Sequence, residues 1–285
     1  MLHPDAYVTL IEPTELSGLL GSPWAAIIDC RHDLARPEWG AAAFAQRHIP
    51  GARFAHLDRD LSSPITPASG RHPLPDPDTL AGFLGRCGID RHVQVVAYDQ
   101  GNGATAARLW WLLRLLGHGA VAVLDGGLAT WEAAGLPLED TVTAPAPRRF
   151  TRAPALGTAV TTAELVAGLA SGTLTLVDAR SAERFAGRNE TLDTVAGHLP
   201  GARNHPFLSN LDAAGRFLSC EELRRRWDAT LGGVDPQSVV AMCGSGVTAC
   251  HDLLAMQVAG LPGARLYADS WSGWIRDPAR PVATS

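Results

Sequence analysis

The sequence predicts an α/β protein made of two tandem domains, each a mainly parallel sheet with helices on both faces. Three observations predict it. Short apolar, β-branched runs alternate with segments whose apolar residues fall at helical spacing. The second half repeats the order of the first. Both halves also carry the same two short motifs, an Asp-x-Arg closing one apolar run and a His-x-Pro-Gly-Ala-Arg turn after it. Strand–helix alternation of this kind calls for a parallel sheet covered by helices.

Composition narrows the class. The chain has 285 residues, enough for one large domain or two moderate ones. Its 46% hydrophobic and 19% charged residues are ordinary for a soluble globular protein. A net charge of -5 gives no electrostatic footprint for nucleic acid or an anionic membrane. No apolar run is long enough to span a bilayer, and the first residues lack the layout of a secretory signal. The 5 cysteines, at 30, 87, 220, 243 and 250, form no disulfide framework and no zinc-ligand spacing. A cytoplasmic location and no metal are expected. The chain contains no lysine, so all 24 basic residues are arginine. Chemistry through a Schiff-base lysine, a P-loop lysine or a pyridoxal phosphate aldimine is therefore excluded.

Taken in order, residues 1–24 read as a first strand and helix, with Thr14 and Glu15 ahead of Leu16, Leu19 and Leu20 as a cap before an apolar stripe. Residues 25–31 read as a buried strand ending in Asp29-Cys30-Arg31, and His48-Ile49-Pro50-Gly51 as a turn. A proline-rich loop covers residues 62–77. A helical stretch at 80–84 leads to a strand at 93–98, a glycine-rich loop at 99–103, and a helix from Ala106 to about Leu116. A strand at 121–124 turns through Asp125-Gly126-Gly127 into another helix. Residues 141–157, rich in Pro, Thr and Ala, read as a linker between domains at 1–140 and 158–285.

The second copy opens with a helix at Thr161. It repeats Asp-x-Arg as Asp178-Ala179-Arg180, and the turn as His198-Leu199-Pro200-Gly201-Ala202-Arg203. Arg31 and Arg180 are expected to pair structurally with Asp29 and Asp178, and most of the 8 tryptophans to pack in the cores. Residues 239–242 form a buried strand, followed by Cys243-Gly244-Ser245-Gly246-Val247-Thr248-Ala249-Cys250 and a helical stretch to 258. The glycines let the loop turn tightly with its N–H groups pointing inward. A helix N-terminus beside them carries partial positive charge, which favours a thiolate at Cys243. Cys250, with no such loop, is expected to be inert. Asp99 stands in the first copy where Cys243 stands in the second, so the first domain is expected to be catalytically inactive.

Two chemistries use a cysteine on this kind of loop. Phosphate-ester hydrolysis needs a Cys-x5-Arg arrangement to grip phosphate, and here that position holds Ala249. Sulfur transfer through a persulfide needs none. The loop Cys243-Gly244-Ser245-Gly246-Val247-Thr248 closely resembles that of 3-mercaptopyruvate sulfurtransferases, in the two-domain rhodanese family, and the resemblance extends along nearly the whole chain. Thiosulfate-using relatives typically carry Arg-Lys where this chain has Gly244-Ser245.

The resemblance implies two rhodanese-like domains, the second catalytic, with the active site between them. It implies Cys243 as nucleophile, Ser245 and His48 as a proton relay, and the backbone of Gly244, Gly246, Val247 and Thr248 as an anion cradle. Arg184 matches a donor-binding arginine. Where the family places a second arginine this chain has Asp193, and Arg188 stands near enough to substitute. The relay's carboxylate has no clear match. The reading is a sulfurtransferase that needs no cofactor, takes a small anionic sulfur donor and passes sulfur to cyanide, a thiol or a thioredoxin-like acceptor. A thiosulfate donor, a cysteine phosphatase and a catalytically silent binding module are the alternatives.

Overall fold

A computed structural model describes residues 6–285. The chain divides into two compact units, each described by itself. The first comprises Met1–Ser63, Leu74–Leu156 and Ala213–Arg216; the second comprises Pro64–Pro73, Gly157–Asp212 and Phe217–Ser285.

In the first unit the elements run β1 (Leu10–Ile11), α1 (Pro13–Ser17), β2 (Ala25–Asp29), α2 (Trp39–Gln46), β3 (Arg53–Phe54), α3 (Pro77–Arg86), β4 (Gln94–Tyr98), α4 (Ala104–Leu115), β5 (Val121–Leu124) and α5 (Gly127–Ala133). The strands form one parallel sheet in the order β1-β5-β4-β2-β3. In the second unit they run α6 (Thr162–Ala170), β6 (Thr175–Asp178), α7 (Ala182–Phe185), β7 (Arg203–Asn204), α8 (Cys220–Leu231), β8 (Val239–Met242), α9 (Thr248–Val258), β9 (Arg265–Leu266) and α10 (Ser270–Trp274). The parallel order is β7-β6-β8-β9, the same as β3-β2-β4-β5. A parallel bridge from Ala159 to Leu266 takes the place that β1 holds beside β5. The sequence repeat is thus a repeat of topology.

Burial explains why the central strands read as unbroken apolar runs. Every residue of β5 and β8 is buried. Helices that follow a central strand are buried nearly all round, as in α4 and α9, whereas α8 keeps only Leu223, Trp227 and Leu231 inside. Each core has its own tryptophans, including Trp131 in the first and Trp271 and Trp274 in the second. Their ring N–H groups donate to Pro137, Val195 and Pro281 carbonyls at 2.8, 2.9 and 3.0 Å. A buried indole keeps its apolar gain only with such a partner.

The Asp-x-Arg motifs are buried clips. Arg31 pairs with Asp29 and donates to the carbonyl of Arg47 at 2.7 Å. Arg180 pairs with Asp178 and donates to that of Gly197 at 2.8 Å. Each ties the His-x-Pro-Gly turn to the end of its strand.

Three elements differ from their sequence reading. Helix α1 starts at Pro13, capped by reciprocal bonds between Glu12 and Glu15, so Thr14 lies inside it. Helix α9 begins at Thr248, which shortens the loop after Cys243. The stretch through Leu156 belongs to the first unit, where Arg148, Ala153 and Leu156 donate backbone bonds to Gly85, Leu116 and Arg114. Proline and threonine mark it as irregular, but regular hydrogen bonds to helix ends still hold it down.

Candidate active site

Cys243 follows β8 directly, at the point where the parallel sheet delivers its chain toward α9. Its N–H donates to Ser270 Oγ at 3.1 Å and its carbonyl accepts from Trp271 N at 3.0 Å. Ser270 holds a left-handed φ of 53°, a strained conformation for serine, and its hydroxyl also donates to Tyr267 O. The loop then folds back over the thiol. Ser245 N and Gly246 N point at Cys243 Sγ, at 3.4 and 3.1 Å. Gly246 has φ 78°, and a Cβ there would stand 2.5 Å from the Ala268 carbonyl, so glycine is required. Val247 is the cap of α9 and Thr248 its first residue. Helix N–H groups in that first turn lack intrahelical acceptors and face the loop. The cradle is therefore backbone, and Cys243 sits in it only 2% exposed. Cys250 donates to Gly246 O at 3.3 Å inside the helix.

The same loop in the first unit is already filled. Asp99 Oδ1 accepts from Gly101 N and Gly103 N, both at 3.0 Å, and Oδ2 accepts from Thr105 N at 3.1 Å. A fixed carboxylate occupies the amide cradle where the second unit holds a thiol. In both copies the loop's amides converge on one side chain, a carboxyl in the first and a thiol in the second.

Ser245 Oγ is 2.7 Å from a histidine Nδ1, and that histidine is His72, not His48. His72 lies on the Pro64–Pro73 segment, which belongs to the second unit although it comes early in the chain. His48 is buried in the first unit. Its Nδ1 bonds Phe44 O at 2.7 Å, its ring stacks on Phe44, and its Nε2 faces Glu139 at 3.6 Å. His198 repeats this arrangement on Phe185, with Nδ1 2.7 Å from the carbonyl. The His-x-Pro-Gly histidine is a turn lock in both copies. His72 was hidden in the proline-rich loop, and the signal available was the chemistry-bearing pair Arg71-His72 inside an otherwise bland segment.

The arginines rearrange as well. Arg184, at the end of α7, pairs with Glu190 at 3.0 Å and Asp193 at 3.1 Å. Asp193 also pairs with Arg71. The three atoms nearest to where a Gly244 Cβ would stand belong to Arg71 and Arg184, at 2.9 to 3.6 Å. Arg188 is exposed, and none of these three nearest atoms is its own. Burial acts to raise the Glu190 carboxyl, but the Arg184 guanidinium and the amides of Leu192 and Asp193 outweigh it and hold it below the usual range. Behind the loop, burial pushes Asp252 on α9 well above the usual carboxylate range; Asn210 donates to it at 2.8 Å.

Among the described residues, His32, His56 and Asp58 of the first unit could bring ligand atoms together. His56 Nδ1 accepts the Asp58 N–H at 3.1 Å, which leaves the neutral ring's proton on Nε2. Neither nitrogen then offers a lone pair to a metal.

The second unit defines a class: an α/β protein with a cysteine held among backbone amides where a central strand gives way to a helix. Comparison with known proteins gives the family. The rhodanese-like domain model matches residues 12–134 and 161–277. A probable 3-mercaptopyruvate sulfurtransferase of Pseudomonas aeruginosa is 49% identical, covering 96% of this chain and 98% of that protein. A putative thiosulfate sulfurtransferase of Mycobacterium tuberculosis is 41% identical, covering 96% of each. The solved 3-mercaptopyruvate sulfurtransferase from Leishmania major superposes with a TM-score of 0.84 at 33% identity, over 97% of this chain and 76% of that one. The chain belongs to the rhodanese-like family. It is an enzyme, a sulfurtransferase of that family. No helix among the described residues is long and apolar enough to cross a membrane.

Proposed function

We propose that the chain moves sulfur from 3-mercaptopyruvate to a thiophilic acceptor through a persulfide on Cys243. The observation that carries the donor assignment is the Ser245–His72 pair beside the amide cradle. The Cys243 thiolate attacks the thiol sulfur of the donor. An S–S bond forms and the donor's C–S bond breaks, leaving Cys243–S–S⁻ and the enolate of pyruvate. That carbanion equivalent needs a proton, which the Ser245 hydroxyl delivers and His72 replenishes, the donor's own thiol proton closing the balance. The amides of Ser245 and Gly246 stabilise charge on sulfur, as an oxyanion hole does on oxygen. Cyanide then attacks the outer sulfur to give thiocyanate and restore the thiolate. In the cell a small thiol or thioredoxin-like protein takes that role, in the cytoplasm and without nucleic acid.

Thiosulfate is the second reading, favoured by the 41% identical relative with that name. It releases sulfite, which leaves with its electron pair and needs no proton. Thiocyanate formation from cyanide, with the two donors side by side, tests the assignment. Faster turnover with 3-mercaptopyruvate is expected; a preference for thiosulfate overturns it. In either case Cys243→Ser should abolish transfer.

A further inference from the structure

The donor is an anion, yet the position expected to supply a second arginine holds Asp193. That carboxylate is buried, at 3% side-chain exposure, and it grips two guanidinium groups at once. One is Arg184 of α7. The other is Arg71, from the Pro64–Pro73 segment, whose backbone N–H is fixed by Ser272 Oγ at 3.0 Å. Arg184 is held through Nε and Nη2, and Arg71 through Nη1. The remaining terminal nitrogens, Arg71 Nη2 and Arg184 Nη1, stand 2.9 and 3.6 Å from where a Gly244 Cβ would be. Both side chains stay partly open to solvent, at 26% and 20% exposure, while their acidic partners do not.

We infer that Arg71 is the second donor-binding arginine and that Asp193 is the positioning residue that aims both guanidinium groups at the donor's carboxylate beside Cys243. This rests on the reading of the chain as a transferase with an anionic donor, and it names how that anion is held. The three cations here, Arg71, Arg180 and Arg184, face three carboxylates, Asp178, Glu190 and Asp193. With no surplus of positive charge, recognition depends on aimed N–H groups rather than on a general field. The arrangement also explains the empty side chain at 244. A residue larger than glycine would meet Arg71 Nη2 and push that guanidinium aside.

The test uses the full chain and two alkylating agents whose CH2 carbon Cys243 Sγ attacks, forming an S–C bond as iodide leaves. Iodoacetate is an anion; iodoacetamide is its neutral counterpart. Modification of Cys243 is followed by peptide mass spectrometry. Arg71→Gln should slow iodoacetate by about tenfold while iodoacetamide stays within about twofold, which also reports that the loop is intact. Donor KM should rise roughly 10- to 100-fold, the worth of a hydrogen bond to a charged group. Asp193→Asn should shift the iodoacetate-to-iodoacetamide ratio the same way, and Asp193→Glu should keep it near the wild-type value. An unchanged ratio and unchanged donor KM in Arg71→Gln overturn the inference. If the wild-type chain transfers sulfur from neither donor, the functional reading fails, and the alkylation ratio still decides whether Arg71 binds an anion.

Discussion

His72 Nδ1 lies 2.7 Å from Ser245 Oγ, and Ser245 N is in turn directed at Cys243 Sγ. One residue therefore touches Cys243 through its backbone and His72 through its side chain. The two donors place different demands on it, since pyruvate needs a proton and sulfite does not. Ser245→Ala and His72→Asn should each lower kcat with 3-mercaptopyruvate by about 10²- to 10³-fold, in the range for a lost acid–base group. Thiosulfate turnover should change by only a few fold. Parallel losses with both donors would show that the pair holds the loop's shape and does not move a proton.

The two loop glycines should fail in different ways. At Gly246 an added Cβ meets backbone, the Ala268 carbonyl at 2.5 Å, and φ is 78°. Gly246→Ala should destroy the amide cradle, with persulfide formation lost and stability lowered by a few kcal/mol. At Gly244 the same atom meets the far end of a flexible side chain, Arg71 Nη2 at 2.9 Å. Gly244→Ala should keep the melting temperature within a few degrees and raise donor KM about tenfold. Steady-state kinetics and thermal melts on the two variants separate these outcomes; equal effects on both quantities would contradict the geometry.

These contrasts show what the sequence could and could not say. Strand β8, the Asp-x-Arg clips and the repeat were legible because burial and local turn chemistry act on neighbouring residues. The loop that holds Cys243 was legible for the same reason, and so was Asp99 at the matching place in the first copy, where it accepts from Gly101, Gly103 and Thr105. His72 and Arg71 were not legible. They reach Ser245 and Asp193 across 173 and 122 residues of chain, and no periodicity reports a contact of that span. His48 misled because its turn repeats in both halves; repetition there signals a structural part, as His198 on Phe185 makes plain.

Asp252 should make the second unit less stable as pH rises. Burial raises its pKa well above the ordinary value, and the nearby Cys243 and Asp178 push in the same direction against the bond from Asn210. The carboxyl therefore keeps its proton to higher pH in the fold than in the unfolded chain. Its full contribution is present below the unfolded value, about pH 4. It is lost as pH rises toward the folded value, at about 1.4 kcal/mol per pH unit inside that window. Asparagine has the same shape, no charge to bury, and a carbonyl that can accept the Asn210 N–H. Asp252→Asn should therefore equal or trail the wild type near pH 4 and gain on it steadily toward pH 8. Urea unfolding of both proteins at several pH values measures the difference directly. A difference that stays constant with pH would mean Asp252 is ionised in the folded protein, held by something other than Asn210.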